Sequence, residues 1–419
     1  MRILRRTAIW GLLPALCLSA APPSGFYLHD GDRVVFYGDS ITDQRLYTTF
    51  IETYVVTRFP QLKVSFVDSG VGGDRVSGGW AGPIDVRLPR DVVAYKPAVM
   101  TIMLGMNDGS YRAFDQKIFE TFTAGYRHII RSVKDALPGI RITLIEPSPF
   151  DDVTRPPTFE GGYNKVLVRY GEFVKELGRE ENLAVADLNG PLVAALEKAN
   201  KLDSETAKKL VPDRVHPAPA GHLLMAEALL KAWQAPAIVT AVEIDAAGSL
   251  VVNATNTQVS DLAAGERISW TQMDEGLPMP VDTKDGVIAL ALRASDFTEA
   301  MNREPLKVTG LTAARYTLKI DGETAGTFSK EEWAKGVNLA TLPTPMAKQA
   351  ATVHDLTVRH NDVHFVRWRD VEVNLQTVAV DPTHVRAAVE ALDALEMDVV
   401  SQQRAAAQPK SHRYELAAE

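Results

Sequence analysis

Cysteine is nearly absent: the chain of 419 residues has one, Cys17. It sits inside an apolar amino-terminal stretch, and Leu16, not a small residue, precedes it, which argues against lipid attachment there. If that stretch is removed, the mature protein has no thiol, which excludes disulfides, a cysteine nucleophile and thiolate metal sites. An excess of positive charge is lacking too. The formal net charge of −8 argues against a surface for polyanions, so no nucleic-acid partner is expected. Apolar runs long enough to span a bilayer are missing, so no stable membrane anchor is expected. No internal repeat is visible.

What is present begins with an export pattern. Met1-Arg2-Ile3-Leu4-Arg5-Arg6 is basic, Ala8 to Leu18 is apolar, and Ser19-Ala20-Ala21 supplies small residues for cleavage. Residues 1–21 read as a signal peptide and the protein as secreted or periplasmic. A hydrophobic content of 46% with 23% charged residues is that of a globular chain, and the length predicts more than one domain.

From Arg33 to about Trp233, buried-strand candidates alternate with helical patterns. Val34–Tyr37, Val64–Val67, Val99–Leu104, Ile140–Ile145 and Ala184–Leu188 are short apolar runs. Between them Leu46, Phe50 and Tyr54 recur every four residues, as do Ile118, Phe122, Tyr126 and Ile130. Repeated βα units predict a three-layer α/β/α domain over 28–235 with a mostly parallel five-stranded sheet. Past Ala235-Pro236 the texture changes. Strand-like segments, including Ile238–Ile244, Leu250–Thr255 and Val287–Leu292, predict a small β-rich accessory domain over 236–328. Ser329-Lys330-Glu331-Glu332, Thr344-Pro345 and Asp381-Pro382 are helix starts, which predicts a helical region over 329–408. Residues 409–419 are expected to be a disordered tail.

The first strand leads to the chemistry. Val34–Tyr37 stops at Gly38, and Asp39-Ser40-Ile41-Thr42 follows, placing Ser40 at the carboxyl end of a strand, where open α/β sheets bind ligands. A serine there is either a nucleophile or a helix cap. Asp213-Arg214-Val215-His216 lies between Pro212 and Pro217, so it predicts a rigid loop whose aspartate can bond one ring nitrogen and leave the other for a serine. Asp68-Ser69-Gly70-Val71-Gly72-Gly73-Asp74 and Gly105-Met106-Asn107-Asp108 follow the second and third strands. Each is a turn signal, and each can carry donors for an oxyanion.

In this order the four segments resemble the blocks of the SGNH hydrolases, the GDSL-type esterases and lipases. Gly38-Asp39-Ser40-Ile41, Gly70-Val71-Gly72-Gly73, Gly105-Met106-Asn107-Asp108 and Asp213-Arg214-Val215-His216 correspond to the first, second, third and last of them. The resemblance spans residues 28–235 and implies an SGNH, flavodoxin-like fold and carboxylic ester hydrolysis without a cofactor or metal. It implies Ser40 as nucleophile, His216 as base and Asp213 as its partner, with Ser40, Gly73 and Asn107 holding the oxyanion. Asp68 is a departure, since the family often has asparagine there, and it bears on loop geometry. Asp39, Trp80, Tyr111 and Arg112 are candidates for the substrate pocket. Asp39 also fits a turn-shaping role, and the two aromatics also fit the core.

Competing motifs fail on single residues. Thr42 replaces the last glycine of G-x-S-x-G, and Arg75 replaces the third glycine of a dinucleotide loop. His360-Asn361-Asp362-Val363-His364 has the histidine spacing of H-E-x-x-H without its glutamate, so helix packing or surface exposure is expected in place of zinc. The expected function is an exported serine ester hydrolase for short acyl groups or carbohydrate O-acetyl groups, with a small-molecule or polysaccharide ester as substrate. Lipase or thioesterase activity on the same fold, and an inert carbohydrate-binding protein, are the alternatives. The sequence says nothing of oligomeric state.

Overall fold

The computed structural model describes residues 25–265, 267–375, 378 and 381–419. The expected signal peptide, 1–21, lies outside them. Five short apolar strands form one parallel sheet: β1 (Arg33–Gly38), β2 (Ser65–Gly70), β3 (Val99–Met103), β4 (Arg141–Ile145) and β5 (Ala184–Ala186), in the order β2-β1-β3-β4-β5. Order reverses at β1, and its neighbours on both sides run parallel to it. A cleft therefore opens at its carboxyl end, where ligands bind in such sheets. Helices cover the two faces, among them α1 (Leu46–Arg58), α2 (Gln116–Ala136), α3 (Tyr163–Glu181), α4 (Asn189–Leu202) and α5 (Pro219–Ala232). Each terminus has a local reason: Asp115 accepts the N–H groups of Lys117 and Ile118 to start α2, and proline opens α5.

The second half is β-rich, with two antiparallel-dominated sheets. β6 (Ala241–Asp245) and β7 (Leu250–Thr255) form a hairpin, and β10 (Pro305–Thr309) lies parallel to β6. The larger sheet runs β8 (Thr257–Ala263), β9 (Arg267–Asp274), β13 (Ser411–Ala418), β11 (Arg315–Ile320), β12 (Glu323–Ser329). Its central strand corrects the expectation of a disordered tail over 409–419. Tyr414 is fully buried opposite Trp270 and Ile320, and their neighbours on both sides satisfy the strand's backbone. The segment alternates His412, Tyr414 and Leu416 inward, a strand pattern whose partners lie roughly 100 and 140 residues earlier in the chain.

A second correction concerns Val287–Leu292, which is helix α6 (Gly286–Ala294) and not a strand. Asp285 Oδ1 caps it by accepting the Val287 and Ile288 N–H groups at 2.7 and 3.0 Å. An unbroken apolar run has no period to separate strand from helix; here Leu290 and Ala291 bury against the parallel-sheet unit.

Two long helices, α7 (Pro345–Phe365) and α8 (Pro382–Ala406), fold back onto that unit. His354 of α7 bonds Thr53 Oγ1 at 2.9 Å and stacks on Phe50 of α1. Arg404 of α8 donates to the carbonyls of Leu62 and Val64 just before edge strand β2. After α7 the chain widens into a π-helical stretch, Val366–Val373. Trp368 from this stretch packs with Val71 and Ala81 and donates its Nε1–H to Asp91 Oδ1 at 2.9 Å.

Candidate active site

β1 ends at Gly38, and Asp39 starts the short helix Ser40–Asp43 by accepting the Ile41 N–H at 3.0 Å. Ser40 is thereby lifted to the carboxyl edge of the sheet, half-buried. Asp39 is 1% exposed, and burial, with the nearby carboxylates of Asp108, Asp74 and Asp43, pushes it up to about 7. It lies beneath the turn and does not line the cleft, so the structure assigns it to turn geometry and removes it from the pocket.

His216 meets the serine from a loop 176 residues away. Its Nε2 lies 2.8 Å from Ser40 Oγ and its Nδ1 lies 2.7 Å from Asp213 Oδ2. The other oxygen, Asp213 Oδ1, accepts the N–H groups of Val215 and His216 at 2.9 and 2.7 Å, so the aspartate closes its own loop. Burial raises its affinity for a proton, but these bonds from His216 and Val215 outweigh that and hold it below the usual carboxylate range. It therefore stays ionised, and Nδ1 must carry the proton. Nε2 is left as an acceptor for the serine hydroxyl. Arg214 stands in the left-handed region at φ 76° and anchors the loop by donating to the Pro156 carbonyl at 2.9 Å.

Two loops flank the serine on its other side. Gly70 must be glycine, because a Cβ there would come 2.2 Å from Asp43 N. The loop then passes Ser40 closely enough that a Cβ on Gly72 would touch the serine Cβ at 4.0 Å. Gly72 N–H is held by Asp43 Oδ2 at 3.0 Å and Asp74 N–H by the Val71 carbonyl at 3.1 Å. Gly73, at φ +80°, has open space where a side chain would stand. Beneath the loop the fully buried Arg87 pairs with Asp74 at 2.8 Å and Asp91 at 2.7 Å and donates to the Ser69 carbonyl at 2.8 Å. Asp68, the departure noted above, accepts the Gly70 N–H and the Thr48 hydroxyl at 3.0 and 3.1 Å. The two bonds fall on separate carboxylate oxygens, where an asparagine would offer one acceptor oxygen and one donor amide.

Asn107 is 8% exposed and oriented at both ends of its amide: Nδ2 donates to the Asp74 carbonyl at 3.1 Å, and Oδ1 accepts the Tyr111 hydroxyl at 2.9 Å. One N–H of that amide remains for a ligand. Tyr111 thus acts through Asn107. Arg112 does not join this group; it is exposed and pairs with Asp115 at 3.9 Å. Trp80 is 58% exposed and donates its Nε1–H to the Gly72 carbonyl at 3.1 Å.

A cleft of about 530 Å³ lies over the serine, lined by Ser40, Gln44, Arg45, His216, Pro217 and Phe365. Phe365 and Arg45 have no counterpart among the residues expected from sequence, and nothing in the local pattern of α7 marks its last residue as a cleft residue. His360 and His364 lie elsewhere, buried beneath α8. His360 bonds Glu52 Oε1 at 2.8 Å and Glu396 Oε1 at 3.1 Å, so both ring nitrogens serve carboxylates. Among the described residues no cluster of three or more side chains suits a metal ion. His222 is buried between Gln44 and the Tyr47 N–H, and burial lowers it to about 3, so it is a neutral structural group.

A serine, an imidazole, a carboxylate and inward-facing donors at one sheet edge are the parts of an acyl-transfer site. The GDSL-like lipase/acylhydrolase family model matches residues 36–224. Residues 36–224 are an SGNH hydrolase domain. An acetylxylan esterase of Geobacillus stearothermophilus is 25% identical over 228 residues, 48% of this chain and 93% of that protein. The solved structure of a gut microbial diltiazem-metabolizing enzyme superposes at a TM-score of 0.80 with 27% identity, covering 93% of this chain and 98% of its own. The SGNH domain and the appended half thus occur together in that structure. The site and these likenesses together support a carboxylic ester hydrolase of the SGNH type.

Proposed function

We propose that this hydrolase is exported and removes O-acetyl groups from carbohydrate through an acyl-enzyme on Ser40. The hydrogen-bonded relay from Ser40 Oγ through His216 to Asp213, at 2.8 and 2.7 Å, carries the reading. Ser40 Oγ attacks the ester carbonyl as His216 Nε2 takes its proton, and Asp213 stabilises the imidazolium. The carbonyl oxygen becomes an oxyanion held by the N–H groups of Ser40 and Gly73 and by the Asn107 amide. The intermediate collapses as His216 returns the proton to the leaving alcohol, and the acetyl group stays on Ser40 Oγ as an ester. Water, deprotonated by His216, then releases acetate and restores the serine.

Support for the substrate comes from two relatives. One is named for acting on acetylxylan and the other for metabolizing diltiazem, and the cleft over Ser40, about 530 Å³, has room for a cyclic alcohol. Support for export comes from the composition of residues 1–21. No helix among the described residues is long and apolar enough to cross a membrane.

Fluorophosphonate labelling with peptide mapping tests the mechanism: the adduct is expected on Ser40 and absent from Ser40→Ala. A labelled protein that hydrolyses nothing in a panel from acetyl to long-acyl esters, acetylated oligosaccharides included, would overturn the substrate reading. Absence of any adduct would instead favour an inert carbohydrate-binding protein.

A further inference from the structure

The appended half of the chain reaches the cleft through the end of α7. Phe365, the last residue of α7, lines it together with Ser40 and His216. The π-helical stretch begins immediately after, a geometry that occurs frequently at functional sites. On that stretch Arg369 is 9% exposed. Its guanidinium lies 4.1 Å over the Trp80 ring and 5.9 Å from the Phe365 ring, and its Nη2 reaches Asp43 Oδ2 at 3.4 Å. That same carboxylate oxygen holds the Gly72 N–H. Arg45 closes the series, 4.1 Å over Phe365 and 3.7 Å from Asp362.

Arg369 is held mainly by aromatic faces: its Nη1 is buried without a hydrogen-bond partner, and so is Asp43 Oδ1. A buried donor without a partner is costly, on the order of 1–3 kcal/mol, so this cation is tolerated for what it positions. What it positions is Trp80. One indole face is covered by the guanidinium, the Nε1–H is tied to Gly72, and the residue is still 58% exposed. The cation thus links Trp80, tied to the oxyanion loop just outside the cleft lining, to Phe365, which lines the cleft with His216.

The leaving oxygen must come within reach of His216 Nε2 to be protonated, so the alcohol lies on the His216 side of Ser40, where Phe365 stands. We propose that Trp80 and Phe365 form a subsite for a pyranose ring of the alcohol, with Arg369 as the residue that positions the indole. A sugar ring offers an apolar face of axial C–H groups to an aromatic plane and keeps its hydroxyls at the rim. The C-terminal helical segment is then the element that selects the alcohol. This assignment rests on the acyl-enzyme reading above.

The test compares kcat/KM for acetylated xylobiose with that for ethyl acetate in the full chain. In Trp80→Ala, Phe365→Ala and Arg369→Lys, which keeps the charge and loses the planar stack, the ratio is expected to fall about tenfold, roughly 1.4 kcal/mol. A ratio unmoved in Trp80→Ala and Phe365→Ala overturns the subsite, as does a change in preferred acyl length in its place. Calorimetry of xylotetraose on the Ser40→Ala protein separates the two readings. Binding weakened by Trp80→Ala supports the subsite even if no ester is turned over. Turnover of ethyl acetate with no xylotetraose binding keeps the hydrolase and removes the subsite.

Discussion

Replacing His360 with glutamine should flatten the fall in stability between pH 7 and 9. The ring lies between Glu52 on α1 and Glu396 on α8, with Gln403 donating to the same Glu52 oxygen and Asn361 to the other. Burial opposes charge on the imidazole, but the two carboxylates outweigh it and raise its pKa from 6.5 to about 10. In the unfolded chain the ring is neutral above about pH 6.5. Between pH 7 and 9 the folded protein therefore holds about one more proton than the unfolded one, and stability falls by about 1.4 kcal/mol per pH unit. Over those two units the loss is about 2.7 kcal/mol. Below pH 6.5 the stabilisation from His360 is fully present. Burial raises Glu396, yet its bonds from His360 and His364 outweigh that and hold it below the usual range, so its share is lost only as acid protonates it. His360→Gln leaves the buried Glu52 and the half-buried Glu396 without their shared cation, a cost of about 3 kcal/mol at pH 6. Urea unfolding at pH 6, 7 and 9, followed by tryptophan fluorescence, measures both quantities. The variant should show a shallower slope than the parent from pH 7 to 9, and parallel slopes would refute the reasoning.

The remaining predictions concern the cleft. Asn107→Ala should lower kcat by about 10²–10³, the cost of one oxyanion donor, whereas Tyr111→Phe, which only loosens the Asn107 amide, should cost about threefold to tenfold; equal losses in steady-state assays would contradict this order. Asp68→Asn should stabilise the protein at pH 8 by about 1 kcal/mol or more, because burial pushes the carboxyl up to about 7 and its ionised form is disfavoured in the fold. The gain should vanish near pH 3, where the carboxyl is protonated in the fold and mostly so when unfolded, as chemical denaturation at the two pH values will show.

Much of the site is legible because its parts are local. An apolar run ending in Gly38-Asp39-Ser40 needs only strand and turn chemistry to expose the hydroxyl, and Asp213 bonds the N–H groups of the two residues that end in His216 within its own loop. The same locality explains the strand set and the helix starts at Ser329, Thr344 and Asp381. Where local pattern was ambiguous, tertiary partners decided: Val287–Leu292 became α6 because the parallel-sheet unit offered a surface for one of its faces. The terminal segment Ser411–Ala418 became a central strand because β9 and β11 stand ready on either side with their hydrogen-bonding groups. The cleft itself divides along the same line. The residues for bond breaking announce themselves by motif, but Arg369 meets Asp43 across 326 residues and Phe365 meets Arg45 across almost as many. Such pairs are set by the docking of α7 on α1, a sum of many weak contacts that leaves no short-range periodicity in the chain, so only the folded structure shows them.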